Sequence, residues 1–209
     1  MSFEVGLWRK WAVKRALRRG DDRNVTWGGY RVTKFPSDCL AMQALLFRCR
    51  PQVLLELGTQ YGGSALFFAS LAKLAGIEQI VTVDIADLPG KPADPLITYL
   101  TGDTGSQEVC EKVKAAVAGR SCSVVVDANH HAQYVDRELE LYAPLVGPGQ
   151  ALIMEDTLVD VLNFRKFRES GGPLRSIAKY MPQHPDLEPA EGIEPYLTTN
   201  FFGYWVRKA

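Results

Sequence analysis

The stretch Leu54-Leu-Glu-Leu-Gly-Thr-Gln-Tyr-Gly-Gly-Ser64 limits the fold more than any other part of the chain. Leu54, Leu55 and Leu57 form an apolar run suited to a strand buried on both faces. Gly58, Gly62 and Gly63 then remove side chains where the backbone must turn and come close to a ligand. Ala65, Leu66, Phe68 and Ala69 follow with a face that can pack on a sheet. A strand, a glycine turn and a helix in that order open an α/β sheet.

Further apolar runs predict strands over 80–84, 96–101, 122–127 and 150–154, besides 53–57. Helical segments are expected over 38–50, 63–75, 106–118 and 131–143. The alternation predicts a Rossmann-like fold, a mostly parallel, doubly wound sheet with helices on both faces. Pro and Gly recur over 157–199, with one helical patch near 159–169, and we read this segment as a lid beside the strand tips. Residues 198–207 predict a last strand or hairpin.

The glycine spacing is not that of the dinucleotide fingerprint, so a pyrophosphate ligand is not indicated. Two acids carry more information. Asp84 ends Ile80-Val-Thr-Val-Asp84, and a carboxylate at that strand tip can accept both hydroxyls of a ribose. Glu56 stands just before the glycines and suits an amine-bearing, cationic ligand. Together they point to S-adenosylmethionine, with contacts expected from Glu56, Asp84 and the backbone at Gly58, Gly62 and Gly63. Asp103, at the end of the third strand, can receive an adenine amine or cap the next helix.

A second set of acids lies further on. Asp127 ends one strand and Glu155 and Asp156 end the next. Such tips meet at one sheet edge, where three carboxylates repel one another unless something positive sits among them. A hard divalent cation, Mg²⁺ or Mn²⁺, meets that demand; caps or nearby bases are the alternative. His130 follows Asp127 by three residues and is the candidate general base, ahead of His131.

The 209 residues carry 24 basic and 24 acidic side chains, and 46% of them are hydrophobic. This fits one domain over 25–209, preceded by a basic helix or arm over 1–24. Zero net charge argues against a nucleic-acid partner. No apolar run approaches the ~20 residues of a membrane span. Four cysteines without C-x-x-C spacing, and a start without signal-peptide character, predict a reduced, cytoplasmic protein. Six Lys/Arg against one acid mark residues 1–20, where Trp8, Ala12 and Ala16, with Leu7 and Trp11, offer an apolar stripe; packing on the domain or on a second subunit is the favoured reading, ahead of a membrane-surface or partner-binding helix.

Several of these pieces resemble the cephalosporin-hydroxylase-type family of class I methyltransferases, which includes sugar and rhamnosyl O-methyltransferases. They are Thr26-Trp-Gly-Gly, Lys34-Phe-Pro-Ser-Asp38, Glu56-Leu-Gly-Thr-Gln-Tyr-Gly-Gly-Ser64, Val83-Asp84-Ile85 and Gly102-Asp103. Asp127-Ala-Asn-His130, Arg137 to Val146, Glu155-Asp-Thr157 and Thr199-Asn-Phe-Phe-Gly-Tyr-Trp continue the match. The resemblance implies O-methylation of a hydroxylated small molecule by S-adenosylmethionine. It implies Mg²⁺ on Asp127, Glu155 and Asp156, His130 as base, further donor contacts from Thr59 and Ser64, and a homo-oligomer. Competing readings are a metal-dependent hydroxylase, which usually needs two histidines and a carboxylate, a nicotinamide dehydrogenase, and a non-catalytic protein of the same fold.

Overall fold

The computed structural model describes residues 3–209. Five parallel strands form the body of the sheet: β3 (Val53–Leu57), β4 (Gln79–Asp84), β5 (Ile97–Thr101), β6 (Cys122–Val126) and β7 (Ala151–Met154). Two more, β8 (Leu187–Pro189) and β9 (Tyr204–Arg207), close one side, giving the order β5-β4-β3-β6-β7-β9-β8. β9 runs antiparallel to both β7 and β8. A hairpin of β1 (Thr26–Trp27) and β2 (Tyr30–Arg31) stands apart from the sheet. It turns on Gly28 and Gly29, both at positive φ, as a two-residue hairpin loop requires.

Burial follows the two-residue period of a strand. Leu55, Leu57, Val81, Val83, Val124, Val126, Leu152 and Met154 face one core, which α4 (Gln107–Val117), α5 (Ala132–Tyr142) and α7 (Pro173–Tyr180) cover. Leu54, Ile80, Val125 and Ile153 face the other, under α2 (Pro36–Cys49) and α3 (Gly63–Ala75). The doubly wound fold expected from the sequence is the fold observed. The chain crosses from the β3-β4-β5 half to the β6-β7 half between β3 and β6. That switch point opens a crevice at the carboxyl edge, the usual ligand position in such sheets.

The segment over 157–199 is folded rather than an open lid. Its 159–169 patch is a single turn, α6 (Leu158–Val161), and a 3₁₀ turn at Arg165–Phe167, interrupted where Asn163 takes φ +53°. Its main helix, α7, lies later, and Ile177, Met181 and Leu187 are buried in the first core.

The amino-terminal helix α1 (Leu7–Arg19) packs through Val13 on a third core with Val5, Phe35, Leu158, Val159, Phe167 and Phe201. The apolar stripe expected to be covered is covered only in part: Ala16 packs on this core and Ala12 is half-buried, while Leu7, Trp8 and Trp11 are 85%, 75% and 54% exposed. Val13 lies on the opposite side of the helix, and Arg9 is drawn inward beside it by Glu194, 2.6 Å away. All four cysteines are free, with Cys110 and Cys122 buried. Among the described residues no helix is long and apolar enough to cross a membrane.

Candidate active site

Backbone bonds fix the three strand tips. The Gly58 N–H donates to the Val83 carbonyl (2.7 Å), Asp127 to Leu57 (2.8 Å) and Glu155 to Val126 (3.0 Å), extending each ladder beyond the regular strand. Gly58 has φ +106°, and a Cβ there would fall on the carbonyl of Asp127. The glycine therefore lets the β3 and β6 tips meet. Above them lies a cavity of about 340 Å³, whose walls include Gly58, Thr59, Ser64, Asp84, Asp127, His130 and Asp156.

Glu56 lies beneath this cavity and is fully buried. One carboxylate oxygen accepts the Thr82 hydroxyl at 2.6 Å; the other has no protein partner. Burial pushes its pKa up to about 7, with Lys34 pulling the other way. A buried oxygen without a donor is costly, and a ligand ammonium would satisfy it. Asp84 accepts the N–H groups of Gln60 (2.8 Å) and Ala86 (3.1 Å), which aim its carboxylate into the cavity wall. Gly62 forms the turn, facing Pro92 and Tyr99, and Gly63 starts α3 against the Arg31 carbonyl of β2; neither lines the cavity. Asp103 is exposed, outside the cavity, with one oxygen on the N–H of Gly105. The cap of α4 comes from Ser106 instead.

The acids at the β6 and β7 tips divide into two groups. Asp127, His130 and Asp156 each offer one ligand atom, all within 4.8 Å of one another. His130 Nε2 lies 3.3 Å from a carboxylate oxygen of each acid. Burial lowers the pKa of the ring, but Asp156 and then Asp127 outweigh it and lift it to about 9. Asp156 sits at φ +52°, an uncommon conformation for a residue with a Cβ. The side-chain oxygen of Asn200 accepts its N–H at 2.9 Å and holds it there. Strain of this kind gathers at functional sites.

Glu155 turns away from that group. Its carboxylate meets the ammonium of Lys34 at 2.6 Å, and the same ammonium meets Asp127 at 2.7 Å. Lys34 is 2% exposed. Burial raises the Asp127 carboxyl, yet Lys34 and His130 outweigh it and hold it below the usual range. Burial and the charge of Asp127 push Glu155 well above it. The positive charge demanded by three converging acids is thus partly built into the chain. Lys34 lies outside the reasoning from strand tips, because it comes from the loop before α2. Its place in the Lys34-Phe-Pro-Ser-Asp38 motif was the available signal.

The remaining histidines lie elsewhere. His131 bonds to the Ser170 hydroxyl at 2.7 Å and packs on Phe167, while His184 stacks on Tyr180 at 3.9 Å. One histidine, not two, faces the carboxylates, which does not fit the ligand set of a non-haem iron hydroxylase.

A family model, Rhamnosyl O-methyltransferase/CmcI, matches residues 21–208. The chain belongs to the rhamnosyl O-methyltransferase/CmcI family. It is a methyltransferase, with S-adenosylmethionine as the donor of that family. A rhamnosyl O-methyltransferase of Mycobacterium leprae is 29% identical over 169 residues, 77% of this chain and 72% of that one. The chain spans 58% of the length of a Mycobacterium bovis rhamnosyl O-methyltransferase, at 27% identity. Among solved structures, CmcI with Mg and SAM superposes with a TM-score of 0.68 at 22% identity, covering 100% of this chain and 87% of that one. MycE, a methyltransferase of mycinamycin biosynthesis solved with Mg and SAH, gives 0.59 at 20% identity, covering 81% and 48%. These two establish a shared fold.

Proposed function

We propose that this methyltransferase acts on a hydroxyl, best a vicinal diol, of a sugar-bearing or other small natural product, with Mg²⁺ or Mn²⁺ at the carboxylates. The observation that carries this reading is the meeting of Gly58 after β3, Asp84 of β4, Asp127 and His130 after β6 and Asp156 after β7 around one cavity, with Glu56 of β3 buried below it. The unpartnered oxygen of Glu56 suits the amino group of S-adenosylmethionine, and Asp84 suits its ribose hydroxyls. Thr59 and Ser64 would line the donor, beside the turn at Gly62 and Gly63, with Asp103 available at the rim for its base. Asp127 and Asp156 would hold the cation directly, and Glu155 would act behind them through Lys34. A hydroxylated sugar of the rhamnose type is in keeping with the names of the mycobacterial relatives.

S-adenosylmethionine supplies an electrophilic methyl group. A divalent cation on Asp127 and Asp156 would supply a Lewis-acid pull on the acceptor oxygen and take over the charge balance of His130. His130 then accepts the hydroxyl proton at Nε2, the atom facing both acids. Such base catalysis contributes ~10²–10⁴-fold. Asp127 orients the ring, Lys34 orients Asp127, and the glycine turn keeps donor and acceptor close enough to react.

Calorimetric titration of chelator-treated protein with S-adenosylmethionine and with NAD⁺, each with and without Mg²⁺, tests the reading. Tight S-adenosylmethionine binding, no NAD⁺ binding and a separate Mg²⁺ heat are expected. Absence of S-adenosylmethionine binding under every condition overturns it.

A further inference from the structure

The outer face of α1 has no role in the fold or in the site. At 100° per residue, Leu7, Trp8, Trp11, Lys14, Arg15, Arg18 and Arg19 share the side opposite Val13. All seven are exposed, and none is acidic. The amino-terminal half of this face is apolar: the Trp8 and Trp11 rings pack edge to face at 5.5 Å and are 75% and 54% exposed. The carboxyl-terminal half is basic, and Arg15 reaches back over the Trp11 ring at 5.7 Å. Two indole rings therefore stand in water next to four cations.

The physical chemistry of this face fits an anionic lipid surface. Indole rings settle at the boundary between headgroups and acyl chains, and basic side chains on the same helix meet the phosphates. A second copy of the chain fits less well. The apolar groove that could receive the tryptophans, bordered by Trp27, Leu40, Phe47, Leu71 and Leu74, has a volume of about 560 Å³ and no acidic residue in its wall. Docking α1 there would set Lys14, Arg15 and Arg18 against a wall that offers them no acid to pair with. We propose that the exposed face of α1 docks the protein on membranes rich in anionic phospholipid. The proposal does not depend on the reaction assigned above.

The test is sedimentation of the full chain with vesicles of phosphatidylglycerol and phosphatidylcholine, and with vesicles of phosphatidylcholine alone. Binding to the anionic vesicles is expected, falling as salt rises. Arg15→Ser with Arg18→Ser should lower the partition coefficient by roughly 25-fold, about fivefold for each charge near such a surface. Trp8→Ser with Trp11→Ser should also weaken binding at least ~10-fold, with the melting temperature unchanged because both rings are exposed. Equal partition into the two vesicle types, or unchanged partition of the tryptophan variant, overturns the proposal. So does an oligomer seen by light scattering that the tryptophan variant dissociates, when no vesicle binding occurs.

Discussion

Replacing Lys34 by Met tests whether the acids at the β6 and β7 tips depend on an internal cation. The ammonium is buried, 2.7 Å from Asp127 and 2.6 Å from Glu155. Met keeps the stem and removes the charge, leaving Glu155 without a counter-ion and Asp127 with His130 alone. Removing one partner of a buried ion pair costs about 3–5 kcal/mol, a large share of the ~5–15 kcal/mol that holds a domain together. At roughly 2–4 °C per kcal/mol for a chain of this size, the melting temperature should fall by about 6–20 °C. The loss must also depend on pH. In the native protein Asp127 is held low, so its contribution is present above the unfolded value and is lost as pH falls. Without Lys34, Asp127 and Glu155 are both pushed up, and each then destabilises increasingly as pH rises past ~4. The deficit should therefore be largest near pH 8 and shrink toward about pH 5. Urea denaturation of Lys34→Met, and of Lys34→Met with Glu155→Gln, at both pH values measures this; the double variant should recover part of the loss. A deficit below ~1 kcal/mol, or one equal at both pH values, would refute the reasoning.

Gly58→Ala should cost about 3 kcal/mol or more and abolish S-adenosylmethionine binding, because its Cβ would fall on the Asp127 carbonyl at a strained φ; denaturation and calorimetry check both parts. His130→Ala should lower turnover ~10²–10⁴-fold while leaving the dissociation constant of S-adenosylmethionine nearly unchanged. Asp156→Asn should raise the Mg²⁺ concentration needed for half-maximal rate at least ~10-fold, which a metal titration of the rate would detect. Asp38→Ala should lower stability by about 3 kcal/mol or more, read by urea denaturation. Its buried carboxylate accepts the Thr198, Thr199 and Tyr204 hydroxyls and the Thr199 N–H.

The sheet was legible because its signals are local. Apolar runs of strand length alternate with helical periods, and every parallel strand lies within a residue or two of its expected bounds. The face of α1 and the helix α7 were not legible, for physical reasons that differ. Val13, which anchors α1, is outnumbered in the sequence by apolar residues that the fold leaves in water. The start of α7 lacks a local cap: Asp160, a dozen residues earlier, accepts the N–H groups of Gly172 (2.7 Å) and Leu174 (2.9 Å). No window of periodicity contains that interaction. In the site, the carboxylates were legible because strand tips of a doubly wound sheet must converge. The claim of Lys34 on Asp127 and Glu155 was not, since it rests on contacts between residues about ninety to one hundred and twenty positions apart.

The motif Lys34-Phe-Pro-Ser-Asp38 shows how a segment outside the sheet can govern the sheet's edge. At one end Lys34 draws Asp127 and Glu155 together. At the other, Asp38 binds Thr198, Thr199 and Tyr204, which fixes the returning chain so that Asn200 can hold the strained Asp156. Phe35 locks the two ends in place by packing into the third core, and Pro36 starts α2 directly behind it. The two carboxylates that face the cavity thus receive their positions from one short stretch, by charge on one side and by hydrogen bonds on the other. Each alone would leave its partner acid free to turn away from the site, because like charges at adjacent tips repel. Changes at Lys34 and at Asp38 should therefore reach the same cavity through different strands.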